Sequence, residues 1–244
     1  IGVRTLFFLK IRAPPRSTLS PSPTLFLKLL SPRVVPTPVL EAMKNFRRGF
    51  GTFKVDWALT RAVPWKSALC REAAVVHTGE SLDDLARFTR QVRAGELAAD
   101  PYLVIGQQSL MDPSRAPKGE HTLYAYSRVP GDLPYDRDRK LRYAQAIEDR
   151  IEELAPGFKS AIVGRHIMSP SDLERDNENL LGGDLGGGTA DISNQLFFRP
   201  LFPYFRYRTP IGGLYLGSSY AHPGAGVHGM CGYNAAKRVI ADLG

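Results

Sequence analysis

Two glycine-rich segments are the places in this 244-residue chain where residue types and spacing could support chemistry. The first is Leu181-Gly-Gly-Asp-Leu-Gly-Gly-Gly-Thr-Ala-Asp-Ile192. Its glycines permit backbone N–H groups to converge on an anion, because residues without a Cβ reach conformations closed to others. It does not end in Gly-Lys-Ser/Thr, so it is not a P-loop. The second segment runs from Thr209 to Ala236. There Leu214 to Leu216 predict a short buried strand, and Gly217 lets the chain leave its end. Pro223 to Gly226 form a turn without bulky side chains, and a helix begins near Val227. The unpaired N–H groups and positive dipole end of that helix are directed at whatever occupies the turn, which suits an electron-rich ring edge or a pyrophosphate. Gly229 and Gly232 fall on its first turns. Each costs about 1 kcal/mol relative to alanine, so both need a reason, such as the close approach of a flat ring or of another backbone.

The remaining chemical groups are dispersed. His77, His121, His166, His222 and His228 form no cluster, and Cys70 and Cys231 have no CxxC spacing, so no metal site is expected. Two cysteines in a chain of this size suit a reducing compartment and free thiols. The aromatic run Phe197, Phe198, Phe202, Tyr204, Phe205 and Tyr207 fits either an apolar substrate tunnel or ordinary core packing.

The elements that must position these groups read as a mixed α/β domain from about Phe46 onward. Strands are expected at Thr52 to Leu59, Val75 to Thr78, Tyr102 to Gln107, His121 to Arg128 and Ala161 to Met168. Ser81 followed by Asp84 resembles a capping box opening a helix through Val92, stopped at Gly95. The longest helix is expected from about Asp138 to Leu154, with Leu141, Ile147, Ile151 and Leu154 on one apolar stripe. Ser169-Pro170 caps a further short helix. The expected organisation is a Pro/Arg-rich extension at 1–44, a mixed sheet with helices at 45–208, and a strand-turn-helix at 209–244.

Charge separates the first of these from the rest. Residues 1 to 50 hold nine Lys or Arg and one acid, whereas residues 51 to 244 hold 23 of each sign. The net charge of +8 therefore belongs to the beginning of the chain, and the remainder is not a nucleic-acid binder. Residues 1 to 40 contain seven prolines, at 14, 15, 21, 23, 32, 36 and 38, which oppose a continuous helix. A disordered or non-native extension is expected there rather than a transit peptide. The apolar run Leu25 to Leu30 is much shorter than the roughly 20 residues that span a bilayer, so no transmembrane segment is expected and peripheral membrane contact is left open.

The string Asp184-Leu-Gly-Gly-Gly-Thr-Ala-Asp191 resembles the phosphate loop of actin-like chaperone ATPases. In that family the loop follows a strongly apolar strand, and Arg175-Asp-Asn-Glu-Asn179 could not form one. A wider resemblance is carried by Gly213-Leu-Tyr-Leu-Gly-Ser-Ser219 and His222-Pro-Gly-Ala-Gly-Val-His-Gly229, joined by Phe53-Lys-Val-Asp-Trp-Ala-Leu59, Gln108 to Pro117, Gly182 to Gly188 and Phe198-Arg-Pro200. These residues resemble the C-terminal FAD motif and adjoining stretches of the phytoene-desaturase-related flavoproteins, in their carotenoid-desaturase-like branch, over about Phe46 to Gly244.

The resemblance implies an FAD-dependent oxidoreductase that moves hydride from an apolar small molecule to flavin. The fold it implies is a mixed α+β substrate domain plus the C-terminal strand and helix of an incomplete Rossmann-like FAD domain. Carried over, Gly226, Val227 and His228 supply backbone contacts to the flavin, Gly217 and Ser218 lie near the ribityl chain and pyrophosphate, and Gly224 and Gly229 complete the cofactor-facing set. Many flavoproteins of the wider superfamily place a carboxylate where this chain has Ser218. His228 is the candidate catalytic side chain, although the flavin itself can take the hydride. Nothing in residues 1 to 50 resembles the G-x-G-x-x-G fingerprint that binds the ADP half of FAD. By resemblance the chain thus holds a closing piece of the cofactor domain, inactive or weakly FAD-binding alone. A non-catalytic fragment or interaction protein is the alternative, prompted by a first residue, Ile1, that is not methionine. An intracellular location is expected, the mitochondrial matrix in a eukaryote or the cytoplasm in a bacterium.

Overall fold

The computed structural model describes Arg4–Thr5 and residues 34 to 244. Strands β1 (Arg4–Thr5), β2 (Gly51–Leu59), β3 (Val75–His77), β4 (Val104–Gly106), β5 (His121–Val129), β6 (Ile162–Met168) and β7 (Leu214–Tyr215) are interspersed with helices. These are α1 (Thr37–Lys44), α2 (Ala68–Glu72), α3 (Leu82–Arg93), α4 (Gln108–Met111), α5 (Arg137–Leu154), α6 (Pro170–Asp176) and α7 (Met230–Leu243). The fold is mixed α/β. Two compact units emerge, one of Phe50–Asp172 and one joining Ile1–Gly49 to Leu173–Gly244. Residues 173 to 208, expected to group with the sheet at 45–208, fall instead with the terminal strand and helix.

In the unit Phe50–Asp172 the sheet order is β3-β4-β5-β2-β6. Every pairing is antiparallel, where a mixed sheet was expected from the alternation of strands and helices. No helical crossover returns a strand parallel to its neighbour, which a parallel pair requires. Strand β2 is central, and its register with β5 runs from Gly51↔Val129 to Leu59↔His121. Successive side chains on a strand point to opposite faces. Phe53, Val55, Trp57 and Leu59 therefore all enter the core, with Leu123, Ala125 and Val129 beside them. Burying each large side chain of this kind contributes about 1.5–3 kcal/mol.

Helix α5 covers that face. Asp136 starts it by accepting the Arg139 N–H at 2.7 Å, and Tyr143, Ala144, Ile147, Glu148 and Ile151 are its buried residues. Leu141, expected on the stripe, is 39% exposed. The buried face is rotated toward Tyr143 and Glu148, because the Glu148 carboxylate has interior partners. It accepts from Trp57 Nε1 at 2.9 Å and from Arg165 Nη1 at 2.9 and 3.0 Å. Ser81 caps α3 as its spacing with Asp84 predicts, its Oγ accepting the Asp84 N–H at 3.1 Å. On the opposite face of the sheet the Tyr124 ring lies over Gly106, where an added Cβ would overlap ring carbons.

The other unit has its own small core of Val35, Val39, Met43, Leu214, Leu216 and Ala221. Helix α1 is a correction to the proline-broken extension expected at 1–44. Pro36 is its N-cap and Pro38 sits in its first turn, where a missing N–H removes no helical hydrogen bond. Val39 and Met43, four residues apart, then face the core together. The expectations for residues 1 to 3 and 6 to 33 lie outside the described residues. Strand β7 pairs in parallel with β1, Arg4↔Leu214 and Thr5↔Tyr215, and α7 packs beside it through Cys231, Ala235 and Val239. Among the described residues no helix is long and apolar enough to cross a membrane.

Candidate functional site

The first glycine segment folds around two buried charges. Asp184, 3% exposed, accepts the N–H groups of Gly49, Gly186 and Gly188, each at 2.7 Å. Arg199, 1% exposed, donates to the carbonyl oxygens of Gly186, Gly187, Thr189, Asn194 and Ser219 at 2.7 to 3.2 Å. Burial lowers the guanidinium's pKa. Gly187 has φ +64°, and a Cβ there would overlap the Ser219 side chain. The loop therefore needs its glycines to pack against the second segment. Its Gly186 and Gly188 amides, which a phosphate would use, are already taken by Asp184.

The second segment is held from inside by its carbonyls. Ser219 O accepts from Arg199 at 2.7 and 2.9 Å, and His222 O accepts from Tyr207 Oη at 2.8 Å. The Cys231 thiol reaches Ala221 O at 3.5 Å and Gly224 O at 3.4 Å, and burial raises its pKa. Tyr207 makes its contact from a left-handed backbone, φ +66°, a conformation that costs a non-glycine residue about 1–3 kcal/mol. In a trans peptide the C=O and the following N–H point oppositely, so an inward Gly224 carbonyl sends the Ala225 N–H outward. Residues Ala225 to Met230 are exposed. Among the described residues the amides of Ala225, Gly226, Val227, His228 and Gly229 have no acceptor. They lie just before α7, whose 14 residues add a dipole with its positive end on the same side.

The sequence-predicted site residues divide within this frame. Gly217 contacts α7: a Cβ there would be 3.4 Å from Ala235 Cβ and 3.8 Å from Gly232 Cα, so these two glycines serve strand-to-helix packing. Ser218 O accepts from Ala221 N, and Ser218 Oγ from Tyr220 N, closing the turn. Gly224, φ +96°, rests on the Arg199 guanidinium, with an added Cβ 3.1 Å from Cζ. Gly226 is covered by the His228 ring. Val227 is fully exposed. Gly229 is the N-cap of α7 at φ +63°, with open space where a Cβ would lie. The helix thus begins at Met230, three residues later than the sequence suggests, because Gly226 and Gly229 adopt non-helical backbone. His228 accepts the Met230 N–H at Nδ1, 3.0 Å, so a neutral ring carries its proton on Nε2.

Sequence reasoning quoted Asp184 and Arg199 within resembling stretches but missed their roles, and also missed a spacing in plain view. Gly224-Ala-Gly-Val-His-Gly229 is itself a G-x-G-x-x-G. Its context differs from that of a dinucleotide fingerprint, in which the first glycine follows the strand directly. Here eight residues, Leu216 to Pro223, separate β7 from Gly224.

Two side-chain atoms of this unit, His222 Nδ1 and Thr189 Oγ1, are buried without a hydrogen-bond partner. His77, His121 and His166 lie in the other unit. That unit also holds a cavity of about 490 Å³ lined by Thr78, Phe88, Gln91, Tyr102 and Arg150 among others. Among the described residues no group of three or more His, Cys, Asp or Glu side chains is placed to hold a metal ion. Phe197, Phe198 and Phe202 are more than half exposed, with Phe205 against Phe197 edge to face at 5.1 Å.

No protein-family model matches the sequence. The chain is similar to pyridine nucleotide-disulfide oxidoreductase domain-containing protein 2 of Rattus norvegicus, 40% identical over 148 residues that cover 59% of this chain and 25% of the relative. It is also similar to a neurosporene-forming phytoene desaturase of Rhodobacter capsulatus, 32% identical over 146 residues, 57% of this chain and 26% of the relative. The match thus spans about a quarter of the length of these curated relatives. In fold, the chain is similar to the crystal structure of an oxidoreductase from Methanosarcina mazei, with a TM-score of 0.50 at 15% identity, covering 93% of this chain and 42% of that one. Over about three fifths of its length, the chain is similar in sequence to the oxidoreductases represented by pyridine nucleotide-disulfide oxidoreductase domain-containing protein 2 and the phytoene desaturases.

Proposed function

We propose that this chain supplies the closing, flavin-facing segment and the substrate-side unit of an FAD-dependent oxidoreductase acting on an apolar small molecule. The observation that carries the reading is the row of acceptor-free amides at Ala225 to Gly229, exposed in front of α7 while the carbonyls behind them are held inward. Such a row suits an electron-rich oxygen or ring edge. The orphaned His222 Nδ1 fits a site completed by a group from outside the chain.

FAD, when bound, supplies the hydride acceptor. Gly226, Val227 and His228 would meet it through their N–H groups, with Gly229 leaving room beside them. His228 fixes the start of α7 by accepting the Met230 N–H at Nδ1. Gly217, Ser218 and Gly224 shape the turn beneath. The exposed rings of Phe197, Phe198 and Phe202 support an apolar substrate or a peripheral contact with a membrane.

Titration of FAD into the purified chain, followed by the amide NMR signals of Ala225 to Gly229, tests the reading. Shifts confined to these amides, at millimolar rather than micromolar FAD, are expected. Unmoved signals at saturating FAD would remove the flavin assignment. Purification with stoichiometric flavin would contradict weak binding by this chain alone.

A further inference from the structure

We propose that Arg199 is a positioning residue for the turn: by binding the carbonyl oxygens behind it, the guanidinium fixes where the Ala225 to Gly229 amides point. The identity of the bound group rests on the flavin reading above; the positioning does not.

Arg199 is 1% exposed and makes no ion pair within 4.0 Å among the described residues, the buried Asp184 of the same loop acting on it only from farther away. A buried charge without a directly bonded counter-ion is costly, and here five backbone carbonyls provide most of the compensation, with Asp184 as the more distant opposite charge. Three of them, Gly186, Gly187 and Thr189, belong to the glycine loop, and Ser219 belongs to the turn. One planar group therefore ties two segments about thirty residues apart, a task that needs its fixed fork of five donors. Gly224 lies against the same guanidinium, with an added Cβ 3.1 Å from Cζ and from Nε. The peptide that turns the Ala225 N–H outward is thus seated on Arg199 and latched by the Cys231 thiol on Gly224 O. A lysine ammonium keeps the charge but loses the fork, so R199K separates geometry from electrostatics.

The experiment is amide hydrogen exchange and FAD titration by NMR on the 244-residue chain, wild type, R199K and G224A. Exchange at the hydrogen-bonded amides of Gly186, Gly188, Thr189, Tyr220, Ala221 and Gly224 is expected to rise at least tenfold in R199K, with the unit Phe50–Asp172 unchanged. FAD-induced shifts at Ala225 to Gly229 are expected to fall at least fivefold. If R199K unfolds residues 173 to 244 outright, G224A decides: it keeps the arginine and pushes the turn off it, and faster exchange confined to the amides of residues 220, 221 and 224 supports the proposal. Wild-type exchange in R199K, or in G224A where R199K does not fold, overturns it. Faster exchange together with a wild-type chain that ignores FAD leaves the positioning standing and removes the flavin reading instead.

Discussion

Asp184 and Arg199 grip one loop by its opposite polarities, the carboxylate taking the Gly186 and Gly188 amides at 2.7 Å and the guanidinium donating to Gly186 O and Gly187 O at 3.2 and 2.7 Å. The loop is a structural joint whose polar groups are largely satisfied from within the protein.

Asp184→Asn should therefore destabilise the unit that contains it. Three charge-assisted hydrogen bonds weaken, and the amide keeps one acceptor oxygen for three N–H donors. A loss of about 2–3 kcal/mol is expected, measured by urea unfolding with a probe in residues 173 to 244. A change within about 0.5 kcal/mol would mean that the loop holds without the carboxylate.

Glu148 joins Trp57 and Arg165 inside the other unit. Arg165→Ala should cost about 2–3 kcal/mol, since it leaves a buried carboxylate with the indole N–H as its remaining donor. Glu148→Gln should cost less, about 1–2 kcal/mol, because Arg165 is 39% exposed and can regain water. Thermal unfolding of the two variants gives the order, and the reverse order would contradict this account.

Gly106→Ala should destabilise by about 1–3 kcal/mol through overlap with the Tyr124 ring. In the Tyr124→Ala background the same substitution should become nearly neutral. The coupling in that double-mutant cycle checks the contact.

Asp242 ties α7 to Arg208 and to Tyr215 of β7, accepting from Arg208 Nε at 2.7 Å and Tyr215 Oη at 2.9 Å. The Arg208 hydrogen bond is the main cause that draws its pKa from 3.8 down to about 2. A depressed carboxylate pKa gives stability that is present above the unfolded value and lost as pH falls through the folded one. The terminal unit should lose melting temperature between about pH 4 and pH 2, and Asp242→Asn should flatten that slope. An unchanged slope in the variant would assign the acid sensitivity elsewhere.

The sequence made the sheet unit legible because its strands alternate and its helices carry caps: β2, α3, β5 and α5 fall within one or two residues of their expected bounds. Helix α1 was hidden by reading Pro36 and Pro38 as breakers, although the spacing of Val39 and Met43 carried a helical signal. The late start of α7 depends on left-handed backbone at Gly229, which a glycine permits but does not announce. The role of Arg199 was hidden for a different reason. Its partners are main-chain carbonyls, which every residue type possesses, so no spacing of side chains reveals it.

The unit Phe50–Asp172 is one uninterrupted stretch, and Lys54 of β2 stands directly across from Met168 of β6. Its entry and exit strands therefore run side by side, about 5 Å apart. A cassette with such neighbouring ends can be exchanged or inserted by a single genetic event. The sequence of that cassette is then free to diversify while the glycine turn and its arginine stay as they are.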